Sequence, residues 1–369
     1  MNAVTNKILT DNFAFSSSVS GDVWHSGKDA KAYEWWYFDA LSDDGQEAVV
    51  IVFLDNFIYS SSYNREFAQA NRSSTTSADV HRSRSPAVAF TYFQNGRARY
   101  RTVLQFPEDA FDASTDTAEV RIGNCSFKYQ TAAYGSGYLV ELDAPLPGDR
   151  RLTATFEWLS VEADYFPDDA CITPNSHCWN MVAPRSDVSG KITVFDRKGK
   201  EVDSTQFRGT GYHDHKLDNR WLAKTVRDWH WGRAHFADAT AVFYRYREID
   251  DETATTKLIV SRGSHLTQQT AAFEEGRLVR HKFGIRYPTH IGMVADDNVR
   301  LEVRPLKVIS SSFFYLRFLS EMTLTLGDDL QRRTIGISEF LKPTMLNHRW
   351  LTRLGELRTG KNGKHPLLP

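Results

Sequence analysis

Short stretches in which apolar and polar residues alternate run through most of the chain, and turn signals separate them. The stretches rich in β-branched and aromatic residues are 47–57, 87–106, 151–163, 190–209, 240–250, 256–264, 300–309 and 321–328. Asn95-Gly96 and Lys198-Gly199 interrupt two of them, as hairpin turns require. Residues 64–86 are polar and rich in Ser and Arg, which predicts a loop with at most one short helix. The pattern predicts an all-β protein.

Two weak internal repeats indicate a duplicated module. Residues 33–54 and 227–247 each combine an acidic residue, an aromatic cluster, a polar turn and an apolar strand. Near the end of each half, an Arg precedes a Gly-x-x-acid pattern, and this alignment makes Asp214 and Glu339 equivalent.

Closure of each module into a barrel would remove its sheet edges and enclose one apolar ligand. We therefore predict two tandem lipocalin-like β-barrel domains, an N-terminal one over residues 1–218 and a C-terminal one over residues 219–369. The N-terminal barrel is expected to carry most of the active site and to contain the cavity, close to its contact with the second barrel.

The charge balance argues against nucleic acid as a partner. The 45 Lys and Arg residues are matched by 46 Asp and Glu residues, which gives a formal net charge of −1, whereas nucleic-acid-binding domains carry a basic surplus. Aromatic residues make up 13% of the chain, which favours large cores or an apolar pocket. Cys125, Cys171 and Cys178 are too few for a disulfide framework and predict free thiols in a reducing compartment.

No targeting or membrane-spanning segment is visible in the sequence. The N-terminal residues lack the cationic and apolar regions of a signal peptide. The longest apolar run, residues 48–54, is far shorter than the roughly 20 residues that a spanning helix needs. We expect a soluble, cytoplasmic protein of unknown oligomeric state. The basic, Gly-rich residues 358–369 are compatible with peripheral contact at a membrane surface.

Two pairs of chemistry-bearing residues are candidates for one site. Residues i and i+2 of a strand point to the same side, so His177 shares a face with Trp179, and Tyr212 shares a face with Asp214. Burial in an apolar pocket would raise the pKa of Asp214 and keep the acid protonated near neutral pH. Trp179 could then stabilise a carbocation, while His177 handles water and Tyr212 orients the acid. The expected pocket residues are Trp36, Tyr37, Trp229, Trp231 and Glu339.

Structural roles remain open for these residues. His177 could be a hydrogen-bonded core histidine, and Asp214 could bond the backbone amides of a Gly-rich turn. The other histidines near the candidate site are His213, His215, His230 and His235. Their spacing is a weak metal signal, and no P-loop, G-x-G-x-x-G or G-x-S-x-G motif stands in the setting it needs. The sequence therefore predicts no metal and no organic cofactor.

The segments YEWWYFDALSDDG, SHCWNM, GTGYHDH and DWHWGRA resemble the carotenoid 1,2-hydratase (hydroxyneurosporene synthase) family and its lipocalin-like hydratase and cyclase relatives. The resemblance extends from residue 33 to residue 341. It implies cofactor-independent addition of water to an isolated C=C bond of an isoprenoid chain. The essential His-x-Trp and Tyr-x-Asp pairs of that family fall on the two residue pairs described above. The chain departs from the family pattern at Lys216-Leu217-Asp218, where Asn-Trp-Gly is expected.

Three functions are compatible with these features. In the first, Asp214 protonates a double bond of an isoprenoid or polyene, and water or an internal nucleophile captures the cation, which makes a hydratase, a cyclase or an isomerase. In the second, a pericyclase of secondary metabolism holds a folded polyene and needs no essential acid. In the third, a non-catalytic barrel binds an apolar ligand. Replacement of Asp214 separates the first function from the other two.

Overall fold

In the computed structural model, the regular secondary structure of the described residues consists almost entirely of strands, which confirms the all-β prediction. The structure describes residues 13–70, 83–167, 176–296, 298–327, 331–348, 350, 352–353, 357, 359–361 and 364. Helix α1 (Ser61–Ala70) covers the start of the predicted loop at 64–86, and residues 71–82 lie outside the described residues. Among the described helices, none has the length and apolar character that crossing a membrane demands.

A 13-stranded sheet dominates the first part of the described chain. Twelve of its strands are β1 (Phe13–Ser16), β2 (Tyr33–Ser42), β3 (Glu47–Leu54), β4 (Ala87–Gln94), β5 (Arg97–Gln105), β6 (Phe111–Ala113), β7 (Glu119–Ile122), β8 (Cys125–Ala132), β9 (Gly135–Leu146), β10 (Arg150–Glu162), β11 (His177–Phe195) and β12 (Glu201–Asp218). A short 3₁₀ helix (Glu108–Ala110) precedes β6. The path across the sheet runs β5-β4-β3-β2-β12-β11-β10-β9-β8-β7-β6, and β1 pairs in parallel with β11.

The two predicted hairpin turns are confirmed. Asn95 and Gly96 connect β4 to β5 with φ angles of 53° and 67°. Gly199 lies between β11 and β12 with φ of 76°. These left-handed conformations are the ones that Asn and Gly tolerate best, which explains why these residues occur where the strands reverse.

A second sheet of nine strands follows within the described residues. Helix α2 (Leu222–Thr225) leads into β13 (Val226–His235), β14 (Thr240–Glu248), β15 (Thr255–Arg262), β16 (His265–Thr270), β17 (Ala272–Glu275), β18 (Leu278–Arg280), β19 (Arg286–Pro288), β20 (Ile291–Val294), β21 (Arg300–Ser311), β22 (Tyr315–Thr325) and β23 (Arg332–Leu341). The path runs β16-β15-β14-β13-β23-β22-β21-β20-β17, and β18 and β19 form a separate hairpin. Both sheets are barrel-like, as the sequence predicts.

The C-terminal residues return to the first sheet. After a 3₁₀ helix (Pro343–Asn347), strand β24 (Gly360–Lys361) pairs in parallel with β5, and Gly360 is in register with Leu104. The change of sheet falls between Asp218 and Val226, while the division of the chain into domains at 218/219 stays a prediction. The second half of the chain therefore contributes a strand to the sheet of the first half.

Strand β2 separates two apolar clusters because its side chains alternate between faces. Trp36 and Phe38 point into a core that fills one face of the first sheet. Trp35 and Tyr37 point to the other face and join a cluster that also contains residues of the second sheet. Apolar side chains therefore fill the face of the first sheet that carries Trp36 and Phe38. The opposite face, which carries Trp35 and Tyr37, packs against the second sheet.

The two internal repeats face each other across this contact. Trp35 and Trp229, which occupy the same position in the two repeats, have ring centroids 6.2 Å apart. Tyr37 and Trp231, two residues further along each repeat, have centroids 5.4 Å apart. The aromatic clusters that mark the start of each repeat therefore form the interface between the two sheets.

Candidate functional site

A cavity of about 800 Å³ lies between the two sheets. Its wall includes Tyr37 and Val52 from the first sheet and Trp231 and Glu339 from the second. The expectation that the cavity lies within the first barrel is wrong. The core face of the first sheet is filled by apolar side chains, so the open volume remains where the two sheets meet.

Asp214 is the centre of a fully buried hydrogen-bond cluster beside this cavity. Its Oδ2 accepts hydrogen bonds from Trp179 Nε1 at 3.0 Å and from the Tyr212 hydroxyl at 2.8 Å. Oδ1 is buried without a hydrogen-bond partner. The two residue pairs therefore do converge, and Asp214 Oδ1 is the oxygen left free to carry a proton.

Lys216 stands between Asp214 and the cavity. Its Nζ lies 2.9 Å from Asp214 Oδ2, and its side chain is 8% exposed. Lys216 lines the cavity, whereas Asp214 and Tyr212 do not. Both side chains of this ion pair are almost fully buried, so removal of either one would leave the other unpaired in apolar surroundings.

His177 belongs to the same cluster through two tyrosine hydroxyls. Its Nε2 lies 2.8 Å from the Tyr244 hydroxyl, and its Nδ1 lies 3.3 Å from the Tyr33 hydroxyl. Burial holds the pKa of His177 well below its usual value, and the nearby Lys216 adds to this effect, so the ring is neutral. The Tyr244 ring also stacks on Trp179, with centroids 4.9 Å apart. Tyr244 therefore connects His177 to the Asp214 cluster.

Glu339 is a second carboxylate, and it lines the cavity directly. Its Oε1 accepts hydrogen bonds from the Tyr37 hydroxyl at 3.1 Å, the Tyr315 hydroxyl at 2.9 Å and Arg317 Nε at 2.8 Å. Burial raises the pKa of both tyrosines well above the usual value, which keeps them as hydrogen-bond donors.

The register of the sheets agrees with the predicted equivalence of Asp214 and Glu339. Asp214 pairs with Tyr37 on β2, and Glu339 pairs with Trp231 on β13. Tyr37 and Trp231 are the fourth residues of the two aligned aromatic clusters. Each half of the chain thus places one carboxylate opposite the same position of its repeat.

The structure brings together most, but not all, of the predicted pocket residues. Tyr37, Trp229, Trp231 and Glu339 line the cavity, and Trp35 lines it in place of Trp36. The prediction for Trp36 is wrong, because adjacent residues of a strand face opposite sides. Trp36 is buried in the core of the first sheet and stacks on His215, with centroids 4.7 Å apart.

A buried ion pair joins the two sheets next to the cavity wall. Arg233 on β13 donates from Nε and Nη2 to Asp39 Oδ1 on β2, at 2.8 and 2.5 Å. Both side chains are almost fully buried. The Tyr37 hydroxyl donates to Asp39 Oδ2 at 2.8 Å, which links this pair to the cavity wall.

One group in the described residues has the composition of a metal site. His25, Glu34 and His215 place their ligand atoms within 4.8 Å of one another. The Lys28 ammonium is paired with Glu34 and, at 3.0 Å, with Asp55. The Lys28 ammonium already neutralises this group. His215 lies on the face of β12 opposite to Asp214, because adjacent residues of a strand point to opposite sides. Cys125 and Cys178 are buried, the Cys178 thiol lies 3.8 Å from Ser176 Oγ, and Cys171 lies outside the described residues.

Several residues of the site were missed in the sequence. Lys216 follows Asp214 by two positions, so the alternation that pairs Tyr212 with Asp214 also places Lys216 on the same face. Tyr315 and Arg317 come from a strand far from the recognisable motifs, and no local signal marks them, whereas Tyr244 lies within the second repeat and pairs with Trp231.

Comparison with known proteins identifies the family. The family model described as "Carotenoid hydratase CrtC" matches residues 140–365, more than half of the chain. The chain belongs to the carotenoid hydratase CrtC family. The matched segment of this CrtC family member contains the Asp214 cluster and Glu339, while β2 and its aromatic residues precede it.

Individual relatives are distant in sequence. The CrtC family member is 25% identical over 352 residues to a hydroxyneurosporene dehydrogenase of Chlorobaculum tepidum, covering 93% of this chain and 91% of the relative. It is 26% identical over 226 residues to an acyclic carotenoid 1,2-hydratase of Rubrivivax gelatinosus, covering 59% of this chain and 49% of that relative. The alignment therefore spans about half the length of the Rubrivivax protein.

Solved structures support the fold. A crystal structure of CghA superposes with a TM-score of 0.58 at 13% identity, covering 91% of this chain and 96% of that one. A structure of CghA with Sch210972 gives a TM-score of 0.56 at 15% identity, covering 84% and 88%. The CrtC family member shares the lipocalin-like fold of these proteins.

Proposed function

We propose that this protein adds water to a C=C bond of an apolar isoprenoid or polyene bound in the cavity between the sheets. The observation that carries the proposal is the Asp214 carboxyl group, which has three donors on one oxygen and a free second oxygen beside an aromatic cavity. Family membership supports hydration, and the relatives named as carotenoid hydratases support a polyene as the substrate.

The proton for the alkene comes from the Asp214–Lys216 pair. In the proposed mechanism, a proton moves from Lys216 Nζ to the Asp214 carboxyl group across their 2.9 Å contact when an apolar substrate fills the cavity. Lys216 has a flexible four-carbon stem and can turn aside, which exposes the Asp214 acid to the double bond. The aromatic rings near Lys216 then stabilise the carbocation.

His177 takes up the proton that the attacking water loses. Its ring is neutral, so one nitrogen can accept a proton. The Tyr244 hydroxyl lies 2.8 Å from His177 Nε2, and the Tyr244 ring stacks on Trp179. This hydroxyl relays the proton from the Asp214 cluster, to which Trp179 belongs, to His177. In this scheme the acid and the base are different groups on neighbouring strands.

All of these steps use side chains of the protein alone. We therefore expect full activity after exhaustive chelation and dialysis. A loss of activity that one metal ion restores would contradict this part of the proposal and would direct attention to His25, Glu34 and His215.

Incubation with lycopene, neurosporene and short prenyl alcohols in isotopically labelled water tests the reaction. We expect a product that contains one oxygen from water and one hydrogen from solvent at the adjacent carbon. Products that contain no oxygen from water would contradict hydration, and a solvent-derived hydrogen in such a product would indicate an acid-catalysed cyclisation or rearrangement.

A pericyclase is the second candidate. The observation that favours it is that none of His177, Trp179, Tyr212 and Asp214 lines the cavity, which is bounded mainly by aromatic and aliphatic side chains. Such a cavity could hold a polyene in a folded conformation without an acid. Asp214→Asn should leave a shape-driven reaction, or simple ligand binding, almost unchanged.

We also propose that the mouth of the cavity contacts a membrane surface from which the substrate enters. Three apolar residues of the cavity wall are exposed: Trp350 at 65%, Phe283 at 41% and Leu357 at 38%. Arg280 and Lys282 are exposed beside them. Apolar side chains next to basic ones are typical of surfaces that bind the headgroup region of anionic membranes.

A further inference from the structure

We propose that Lys216 is a covalent binding site for a conjugated aldehyde, held as an imine with Asp214 as its counter-ion. The argument rests on the cavity and on the surroundings of Lys216, and it does not depend on the hydration reaction. Amines that lie in apolar pockets are the usual partners of carbonyl compounds in proteins.

The position of Lys216 meets the first requirement, which is access from an apolar cavity. Lys216 lines the cavity, its side chain is 8% exposed, and its Nζ pairs with Asp214 Oδ2 at 2.9 Å. A ligand that enters between the sheets therefore meets this amine before it meets the Asp214 cluster.

The fold does not require a lysine at this position. Lys216 is in register with Trp35 on β2, and Leu341 is in register with Trp229 on β13. Since Trp35 and Trp229 are equivalent in the two repeats, Leu341 is the counterpart of Lys216, and both line the cavity. In the second half an apolar residue occupies this strand position, and the carboxylate equivalent to Asp214, Glu339, is paired with Arg317 instead. The strand itself therefore does not require a lysine there, and the amine is a feature of the site.

Aromatic rings surround the amine. Lys216 Nζ lies 5.9 Å from the ring centre of Tyr37, 5.7 Å from that of Trp231 and 5.5 Å from that of Tyr244. Ring faces at this distance stabilise a cation. The same ring faces would stabilise an iminium ion as well as an ammonium ion. A conjugated aldehyde fits best, because its flat π system spreads the iminium charge along the aromatic wall of the cavity.

The covalent step is balanced without an oxidant or reductant. Asp214 first accepts a proton from the Lys216 ammonium, and the free amine nitrogen attacks the aldehyde carbon to form a C–N bond. The carbonyl oxygen takes two protons from the nitrogen and leaves as one water molecule, which creates the C=N bond. Asp214 returns its proton to the imine nitrogen. The net change converts an ammonium and an aldehyde into an iminium and water, and the carboxylate remains as the counter-ion.

Incubation of the full chain with all-trans-retinal, followed by borohydride reduction and peptide mapping, tests the proposal. We expect a red-shifted absorbance band before reduction and one retinyl group on Lys216 afterwards. Lys216→Arg keeps a positive charge beside Asp214 but cannot form an imine, so it should abolish the adduct. All-trans-retinol, which has no carbonyl group, should bind without forming any adduct.

Lys191→Arg is the matched control, because Lys191 is an exposed lysine that does not line the cavity. This variant should retain the full adduct and the red-shifted band. An adduct on Lys282 or on scattered surface lysines, or no adduct in the unmodified protein, would overturn the proposal. Peptide mapping of the unmodified protein decides the site even if Lys216→Arg fails to fold. Labelled-water hydration is a separate assay, so the failure of one proposal is distinguishable from the failure of the other.

Discussion

Lys216 Nζ lies 2.9 Å from Asp214 Oδ2 and forms the part of the cavity wall behind which the Asp214 carboxyl is buried. The candidate acid is thus not open to the cavity, and its charge is balanced by the group that covers it. Any reaction that uses Asp214 must first move a proton within this pair or move the Lys216 side chain. This relationship distinguishes the site from a simple apolar pocket with an exposed acid.

Substitutions of Trp179 should separate the effect of its ring from that of its N–H group. Trp179→Phe loses the hydrogen bond to Asp214 but keeps a ring against Tyr244. Trp179→Ala loses both and leaves Tyr244, the proposed proton relay, without its stacking partner. We therefore expect a loss of kcat that is up to about tenfold larger, since an aromatic pair contributes about 0.5–1.5 kcal/mol. Steady-state kinetics checks this order, and equal losses in the two variants would rule out a role for the ring.

The buried pair between Asp39 and Arg233 should be important for the stability of the contact between the sheets. Arg233→Met leaves a buried carboxylate unpaired and should lower the free energy of unfolding by about 3–5 kcal/mol. The matched control is Arg151→Met at a surface pair with Asp143, 2.6 Å apart, which should cost at most about 1 kcal/mol. Denaturant unfolding measures both. A similar small loss in the two variants would show that the buried pair is dispensable.

Stability should fall in acid because of buried histidines. Burial lowers the pKa of His230 to about 3, and the positive charge of Arg245 adds to this effect. The unfolded state binds a proton below about pH 6.5, whereas the folded state stays neutral, so stability is complete above that pH and is lost as the pH falls toward 3. Each pH unit in this window costs about 1.4 kcal/mol for each such histidine.

His230→Phe should reduce this loss, because the ring that stacks on Phe340 at 4.5 Å is kept and the titrating group is removed. Unfolding curves between pH 6.5 and 4 should have a shallower pH slope for this variant, by about 1.4 kcal/mol per pH unit. The exposed His265, changed to Gln, provides the control. An unchanged slope for His230→Phe would contradict the assignment of the acid sensitivity to this residue.

Exposed apolar residues at the mouth of the cavity should govern binding to membranes. Trp350→Ser combined with Phe283→Ser should weaken co-sedimentation with anionic lipid vesicles by about tenfold or more, because each removes apolar surface that would enter the interface. Leu306→Ser, at a residue that is 60% exposed and does not line the cavity, should have no effect. Equal binding of the unmodified protein, the double variant and Leu306→Ser would contradict membrane docking through the mouth of the cavity.

The fold could be predicted from the sequence because its signals are local. Asn95-Gly96 marks a hairpin turn within a few residues of the strands it connects, and alternation alone puts Trp179, Tyr212 and Asp214 in positions to meet. The repeats even predicted that Glu339 occupies the place of Asp214 in the second half, in agreement with the sheet register.

The position of the cavity could not be predicted in the same way, because it depends on how two sheets pack. Nothing near Tyr37 in the sequence indicates that Arg317 and Tyr315 will approach it from a strand nearly 300 residues later. The choice of Trp36 over Trp35 failed for a related reason, since alternation shows that they face opposite sides but not which side is the cavity.

The most direct test of the proposed hydration is the kcat/KM of Asp214→Asn, measured with the substrate that the labelled-water assay identifies. The amide keeps the shape of the side chain but cannot supply the proton, so we expect a loss of about 10²–10⁴-fold. Because Lys216 is left unpaired, circular dichroism and the variant that also carries Lys216→Met control for folding. Near-normal turnover in a folded Asp214→Asn protein would contradict the account and would leave Glu339 or a shape-driven reaction as the explanation.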